Sequence, residues 1–246
     1  MIARSFTFLE GIGKSLESKI FGQDIKNWDD FLNSEKINGL SRHRKSYYDR
    51  KIIEARKALY SFDSSFFMGK LPNCENWRIY DFFREDAVFL DIETTGLGRY
   101  DDVTVVGLYD GLNTKSMIKG INLDFKALKN ELANYKVVVT FNGSSFDAPF
   151  LERIYPGLIP KVPHFDVKVL ARRLGYVGGL KKIEKLLGLK RPELVENFYG
   201  GDALTLWKMY RATQDDYYLK LLVEYNEYDI INLKSVAEKL ISKIKE

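Results

Sequence analysis

The stretch FLDIETTGL, residues 89–97, combines an apolar β-strand with two carboxylates and a closing glycine turn. Side chains two positions apart on a strand lie on the same face, so Asp91 and Glu93 are expected to converge on one point. Two neighbouring carboxylates in an apolar strand repel and desolvate each other unless a cation lies between them. Hard oxygen ligands with no cysteine or histidine nearby indicate Mg²⁺ or Mn²⁺. A strand end whose acids simply meet solvent produces the same short pattern.

A second polar cluster follows another predicted strand. The run VTFNGSSFD, residues 139–147, is an apolar strand that leads into a helix start and places Asp147 on the first turn. Ser144 is predicted to cap this helix, with Asp147 completing a capping-box pattern, which is the structural alternative for this acid. Asn142 and Phe146 are candidates for contacts to a sugar and a base, although core packing explains Phe146 equally well.

A third candidate pair lies on the last predicted helix. Tyr225 and Asp229 are four residues apart and therefore share one helix face. An aromatic and an acidic residue at this spacing are common by accident, so this pair has meaning only together with the other two clusters.

The order of predicted elements around these clusters defines the fold class. From residue 87 onward, three strands in AVFLDIE, DVTVVGLYDG and NTKSMIKG are expected to pair antiparallel. A helix over 124–134, the strand KVVVTF, a helix in SSFDAPFLERI and a short strand near HFDV follow. The remainder is predicted to be helical and to end in a long helix over about 215–241.

The net charge of +4 is concentrated near the N-terminus. Residues 1–80 hold 14 Lys and Arg against 10 Asp and Glu, whereas residues 81–246 are balanced. Within this first part, residues 36–57 carry eight basic side chains against two acidic ones. Such a basic stripe can neutralise the phosphates of a nucleic acid. A solvated helix face explains the same run without a ligand.

The first 80 residues are predicted to form a small all-α module. Residues 6–32 show a helical pattern interrupted by glycines, which favours two short helices, and residues 42–60 predict a longer basic helix. The tight turn at Gly11 and Gly13, with Lys14 beside it, exposes backbone N–H groups that can bind a phosphate. The segment resembles a helix-hairpin-helix DNA-binding element. A helical hairpin that only packs on its neighbour is the structural alternative.

The three acidic clusters, in this order and in these contexts, resemble the motifs of the DEDD (DnaQ-like) 3′–5′ exonuclease superfamily. The resemblance extends from about Ala87 to the last helix. The tyrosine variant of the superfamily is favoured, because the histidine variant needs a histidine five residues before the last aspartate, where this chain has Glu224. Within that variant, the stretches His164–Asp166 and Gly179–Gly188 and the pair Tyr225 and Asn226 look most similar to the YprB-type branch.

The resemblance implies an α/β fold over residues 85–246. The expected sheet is ribonuclease-H-like and mixed, with three antiparallel strands joined by parallel strands and flanked by helices. The implied reaction is hydrolysis of phosphodiester bonds in DNA or RNA by a two-metal mechanism. Tyr225 would orient the attacking water. The carboxylates implied to hold two Mg²⁺ or Mn²⁺ are Asp91, Glu93, Asp147 and Asp229.

Nucleic-acid contacts are expected from the residues that adjoin these motifs. Leu97 would wedge against the terminal base. Asp166 matches a recurrent acid of the fold and is interpreted as structural. The full set of expected nucleic-acid contacts is Thr94, Thr95, Gly96, Leu97, Asn142 and Phe146, together with Gly11, Gly13 and Lys14 of the N-terminal module.

Composition excludes several other classes of protein. With 246 residues, 45% hydrophobic and 29% charged, the chain is an ordinary globular protein of one or two domains. No stretch approaches the roughly 18 to 20 apolar residues of a membrane span, so no membrane association and a cytoplasmic location are expected. The single cysteine, Cys74, excludes an intramolecular disulfide and a cysteine-rich zinc site. The expected partner is a single strand or a 3′ end of DNA or RNA, and no feature points to a protein partner.

Two other functions fit the same residues. A structure-selective endonuclease would use the same metals, but Asp-x-Glu on one strand favours the exonuclease layout, because ribonuclease H places its glutamate on a different element. A catalytically silent nucleic-acid-binding protein is the other alternative. The presence of all four carboxylates and the tyrosine argues against it.

Overall fold

The first acidic motif lies on a five-stranded mixed sheet. The computed structural model describes residues 2–192 and 200–245. Its strands are β1 (Ala87–Thr94), β2 (Val103–Tyr109), β3 (Thr114–Ile118), β4 (Val137–Thr140) and β5 (His164–Asp166), in the spatial order β3-β2-β1-β4-β5. β1, β2 and β3 pair antiparallel, whereas β4 pairs parallel with β1, and β5 pairs parallel with β4. The predicted mixed sheet is confirmed.

Helices precede the sheet and cover it. The predicted long basic helix is α3, and the Ser41 hydroxyl caps it by accepting the Arg44 N–H at 3.2 Å. The long final helix is α10. Within the described residues the helices are α1 (Lys14–Phe21), α2 (Trp28–Asn33), α3 (Arg42–Tyr60), α4 (Trp77–Phe82), α5 (Phe125–Leu132), α6 (Asp147–Ile154), α7 (Val167–Arg173), α8 (Leu180–Leu186), α9 (Gly200–Thr213) and α10 (Asp216–Lys245).

The alternation of side chains along β1 divides the core between two faces of the sheet. Val88, Leu90 and Ile92 are buried in a cluster with residues of α5 and α6. Ala87 and Phe89 point to the opposite face, where they join residues of α7, α10 and the N-terminal helices in a second cluster. The N-terminal helices and this face of the sheet therefore share one hydrophobic cluster.

Close packing of α10 on β2 brings polar residues of the helix over β1. Gly107 of β2 lies opposite Asp91 in the antiparallel register. A Cβ at Gly107 would collide with the side chain of Asn226 on α10. The glycine thus permits the close approach of the helix to the sheet, next to the first acidic residue of the DIETTG motif.

The predicted cap of α6 is wrong. The helix begins at Asp147 after Phe146, which makes no side-chain cap hydrogen bond. Ser144 instead donates from Oγ to Asp166 Oδ2 at 2.5 Å. Asn142, in the left-handed region with a φ of 68°, donates its N–H to Asp166 Oδ1 at 2.8 Å. Asp166, at the end of β5 and remote in sequence, captures the donors of this loop, which agrees with its interpretation as structural.

None of the helices within the described residues combines the length and the apolar character needed to cross a membrane.

Candidate metal centre

Three carboxylates from two elements converge near the end of β1. Asp91 and Glu93 lie on the same face of the strand, and Asp229 reaches them from α10. Each can offer one oxygen such that the three oxygens lie within 4.8 Å of one another. Such a set of hard oxygen donors suits Mg²⁺ or Mn²⁺. The convergence predicted for these three residues is found in the structure.

Asp147 adjoins the same strand from the first turn of α6. Its carboxylate is buried, and Oδ1 accepts the backbone N–H of Ile92 at 3.2 Å. Ile92 lies between the two acidic residues of β1 in the sequence. The negative charge of Asp147 acts on both Asp91 and Glu93, since it raises the pKa of each. The fourth predicted carboxylate is therefore electrostatically part of the cluster.

Burial and mutual repulsion disfavour ionisation of all four acids. Desolvation raises the pKa of Asp91 and Glu93 well above the usual range, and neighbouring carboxylates raise it further. Desolvation also raises the pKa of Asp147 to about 7. The pKa of Asp229 is raised by burial although the adjacent Arg191 opposes the shift. A cation placed among these groups would favour their charged forms, so the residues fit a divalent metal.

The tyrosine of the third motif is buried beside the cluster. Tyr225 lies one helical turn before Asp229 on α10. Burial raises its pKa, and the charges of Asp229, Glu93 and Asp91 add to the shift. Its phenol is thus protonated at neutral pH and can take part in hydrogen bonds rather than act as a base. Lys181 of α8 lies with Nζ 4.9 Å from the centroid of this ring.

Asn226 is a site residue to which the sequence assigned no role. Its side chain is fully buried, and Nδ2 donates to Asp91 Oδ2 at 2.8 Å. The hydrogen bond fixes one oxygen of the first acidic residue. The pair of Tyr225 and Asn226 contributed to the branch resemblance, but the contact of Asn226 with Asp91 becomes evident only when α10 is placed against β2.

A buried ion-pair network adjoins Asp229, and the sequence did not predict it. Arg191 Nη2 lies 2.5 Å from Asp229 Oδ1. Arg191 also donates from Nε and Nη2 to the two carboxylate oxygens of Glu184, both at 2.6 Å. The side chains of Arg191 and Glu184 are only 3% and 2% exposed. Both residues occur in a lysine-rich stretch that reads as solvated surface, so only the tertiary structure reveals the network.

The glycine turn after β1 is held in shape by its own hydrogen bonds. Thr94 donates from Oγ1 to the Gly96 carbonyl at 2.8 Å, and Thr95 donates from Oγ1 to Asp101 Oδ1 at 3.0 Å. Leu97 is 84% exposed at the tip of this turn. The candidate wedge residue is therefore accessible to a ligand, on a turn that directly follows the strand with Asp91 and Glu93.

The other predicted contact residues have neighbours within the protein. Asn142 accepts a hydrogen bond at Oδ1 from Lys168 Nζ at 3.2 Å. Phe146 is partly buried, with its ring centroid 5.6 Å from that of Phe150. The side-chain oxygen of Asn142 therefore already accepts one hydrogen bond within the protein. Phe146 packs against the core, which is the explanation for this residue that needs no ligand.

The N-terminal glycine turn precedes a short helix. Gly13 is the N-terminal flanking residue of α1, and Gly11 has a φ of 78°. Within the described residues, one turn of 3-10 helix, Ile2–Arg4, is the only helical segment before this turn. Lys14 Nζ lies 3.7 Å from Glu75 Oε1, so the structure connects this lysine to a buried ion pair.

The mixed sheet and the acidic cluster on it define a ribonuclease-H-like domain. Residues 88–241 match the family model of the RNase_H superfamily, and the chain belongs to this superfamily. The predicted ribonuclease-H-like fold is confirmed. A search of curated proteins found no match.

Comparison with solved structures matched a DNA polymerase and several nucleases. A family B DNA polymerase from the hyperthermophilic archaeon Pyrobaculum calidifontis has a TM-score of 0.51 and 15% identity, over 63% of this chain and 24% of the polymerase. This chain thus spans about a quarter of that polymerase's length, and the likeness shows the fold alone. A nuclease in its apo form has a TM-score of 0.49 and 21% identity, over 70% of this chain and 77% of that one. Brucella melitensis NrnC bound to pGG has a TM-score of 0.44 and 24% identity, over 68% and 78%.

Proposed function

We propose that this protein is a metal-dependent 3′–5′ exonuclease of the tyrosine variant of the DEDD superfamily. The observation that carries the proposal is the convergence of Asp91, Glu93 and Asp229 within 4.8 Å on an RNase H superfamily fold. Asp147 and Tyr225 adjoin this group, so all five residues of the expected motifs are in one region. The similarity to the YprB-type branch belongs to the same proposal.

The chain's own residues would divide the work of the reaction. Asp91, Glu93, Asp147 and Asp229 would hold two Mg²⁺ or Mn²⁺, which when bound would activate a water and stabilise the leaving 3′ oxygen. Tyr225, protonated because its pKa is raised by burial, would orient the attacking water. These roles of the four carboxylates and the tyrosine are those that the resemblance to the DEDD superfamily implies.

The placement of a nucleic-acid end is proposed from the turn after β1. Leu97 would pack against the terminal base, because its apolar side chain is exposed on the turn that directly follows β1. Thr94, Thr95 and Gly96 would present hydroxyl and backbone groups to the terminal nucleotide. Asn142 would contact the sugar from the loop after β4.

Residues 1–80 are proposed to form a module that holds the nucleic acid while the carboxylate cluster of residues 85–246 trims its end. Its support is the positive charge of this segment and the N–H groups at Gly11 and Gly13, with Lys14 beside them. A purely structural role of the same segment is the competing explanation, because Lys14 also pairs with Glu75.

The test is incubation with end-labelled single-stranded and duplex DNA and RNA, with Mg²⁺, Mn²⁺ or chelator, resolved on a sequencing gel. A metal-dependent ladder that shortens from the 3′ end supports the proposal and identifies the sugar. Discrete internal cuts would replace it with an endonuclease. Retention of the oligonucleotide without cleavage would leave a nucleic-acid-binding protein. The Asp91→Asn variant controls for a contaminating nuclease.

A further inference from the structure

We infer that Arg191, clamped by Glu184, is a positioning residue that fixes the carboxylate of Asp229 for metal binding. The inference rests on the proposed function of the carboxylate cluster. It concerns a loop residue after α8 that belongs to none of the three motifs. Arg191 and Glu184 join α8 and this loop to the α10 residue that completes the cluster.

The geometry of the guanidinium supports a fixed arrangement. Nε and Nη2 of Arg191 donate to Oε2 and Oε1 of Glu184, both at 2.6 Å, which is a bidentate pair. A bidentate pair holds the planar guanidinium in one orientation, which an ammonium group cannot reproduce. Nη2 then lies 2.5 Å from Asp229 Oδ1. This close charge contact holds the Asp229 carboxylate beside the guanidinium, although Oδ1 accepts no hydrogen bond within the described residues.

The charge of the network leaves the site able to take a cation. Glu184 and Asp229 contribute two negative charges and Arg191 one positive charge, so the three groups remain negative as a unit. Because Glu184 shares the guanidinium, Arg191 does not neutralise Asp229 completely. The arrangement thus orients a metal ligand without replacing the metal.

The third nitrogen of Arg191 takes no part in the clamp. Nη1 of Arg191 is buried and has no hydrogen-bond partner among the described residues. An unpaired buried donor is costly, and structural networks usually satisfy such groups. Within the described residues the guanidinium thus contacts Glu184 and Asp229 through Nε and Nη2 alone.

The test measures Mn²⁺ affinity by calorimetric titration of the whole chain without nucleic acid, at a temperature where circular dichroism shows each variant folded. Arg191→Lys keeps the positive charge but cannot form the bidentate pair with Glu184. Glu184→Gln removes the competing negative charge, so that the guanidinium can pair with Asp229 alone. Loss of an outer partner of a metal ligand typically costs about 10- to 100-fold in affinity. We expect both variants to bind Mn²⁺ at least about 10-fold more weakly.

Arg173→Lys provides the matched control. Arg173 Nη1 pairs with buried Glu75 Oε1 at the same 2.6 Å, and neither residue belongs to the carboxylate cluster. This variant should lose thermal stability and keep wild-type Mn²⁺ affinity. The rate of the Arg191→Lys enzyme should return toward the wild-type rate at saturating Mn²⁺, because the residue acts through the metal ligand.

The outcomes separate this inference from the proposed function. Wild-type Mn²⁺ affinity in folded Arg191→Lys and Glu184→Gln overturns the positioning role alone, as does tighter binding in Arg191→Lys, which would make Arg191 a competitor of the metal. Failure of the wild-type protein to bind Mn²⁺ overturns the proposed function and the inference together. If one variant does not fold, the other decides the question, and Glu184→Asp, which keeps the charge at a shorter reach, replaces either.

Discussion

Buried carboxylates in this protein are compensated in two opposite ways. Glu75, in the short 3-10 turn Asn73–Glu75, is 1% exposed and lies within 2.7 Å of Arg78 Nε and 2.6 Å of Arg173 Nη1, with Lys14 at 3.7 Å. Burial opposes its ionisation, but the hydrogen bond from Arg78 and the neighbouring positive charges lower its pKa. The chain itself neutralises this acid, which joins the N-terminal region to α7.

The carboxylate cluster receives far less compensation. Arg191 forms an ion pair with Asp229 and shares its guanidinium with Glu184, and the charge of Lys181 lowers the pKa of Glu93 and Asp229. The pKa values of its four acids are all raised, with burial as the first cause. The difference separates two kinds of buried acid: the chain itself compensates Glu75, whereas a cation would favour the charged forms of the cluster.

The largest expected effect comes from neutralising one acid of the cluster. Asp91→Asn should abolish turnover, a greater loss than the about 100-fold that removal of an outer partner costs. The fold should stay intact without metal, because the substitution removes like-charge repulsion and keeps an acceptor for Asn226. Rate measurements with labelled oligonucleotides and thermal melts in chelator check both statements. Undiminished activity would remove Asp91 from the metal site.

Neutralising Glu75, the acid that the chain itself compensates, should lower stability and leave activity unchanged. Glu75→Gln leaves Arg78 and Arg173 without their counter-charge and should lower the free energy of unfolding by about 2 kcal/mol. This is below the about 3 to 5 kcal/mol for fully buried pairs, because Arg173 and Lys14 reach solvent. Urea unfolding measures the loss. The folded variant should retain wild-type kcat, and a large loss of kcat would mean that the two groups of acids are not independent.

The pH dependence of stability should differ between the two groups. In the metal-free protein, burial raises the pKa of Asp147 to about 7, whereas an aspartate in the unfolded chain has a pKa of about 3.9. The folded state then binds more protons than the unfolded state, so this group makes stability fall as pH rises from about 4 to about 7. Thermal melts in chelator should give a higher Tm at pH 5.5 than at pH 8, and Mn²⁺ should reduce the difference.

Glu75 contributes with the opposite sign and in a lower window. Its lowered pKa gives stability that is present above about pH 4.3 and is lost as the pH falls through the folded pKa. A metal-free Tm that rises between pH 5.5 and pH 8 would contradict the assignment of Asp147 to an uncompensated cluster.

The smallest expected effect concerns the N-terminal turn, where Lys14 serves Glu75, a phosphate or both. Lys14→Gln should weaken oligonucleotide binding a few-fold and reduce the slope of log K against log salt by about one. Lys126→Gln, on the exposed side of α5, is the matched control and should change neither. Binding unchanged in Lys14→Gln, with a small loss of stability, would assign this lysine to the ion pair alone.

The fold and the motif residues could be predicted because their signals are local. A continuous apolar run predicts β1, the two-residue spacing places Asp91 and Glu93 on one face, and helical spacing joins Tyr225 to Asp229. The partners of these acids could not be predicted. Asn226 reaches Asp91 only because Gly107 lets α10 approach β2, and Arg191 resembles an exposed base until α8 packs. Ser144 was misassigned as a cap because its true acceptor, Asp166, lies more than 20 residues away.

The most direct test of this account measures the binding of Mn²⁺ to the chain without nucleic acid. Electron paramagnetic resonance detects the ions in wild type, Asp91→Asn and Glu75→Gln. The account predicts two bound ions in wild type and in Glu75→Gln, and loss of binding in Asp91→Asn. Absence of binding in wild type, or binding that survives Asp91→Asn, would contradict the claim that the cluster is completed by metal.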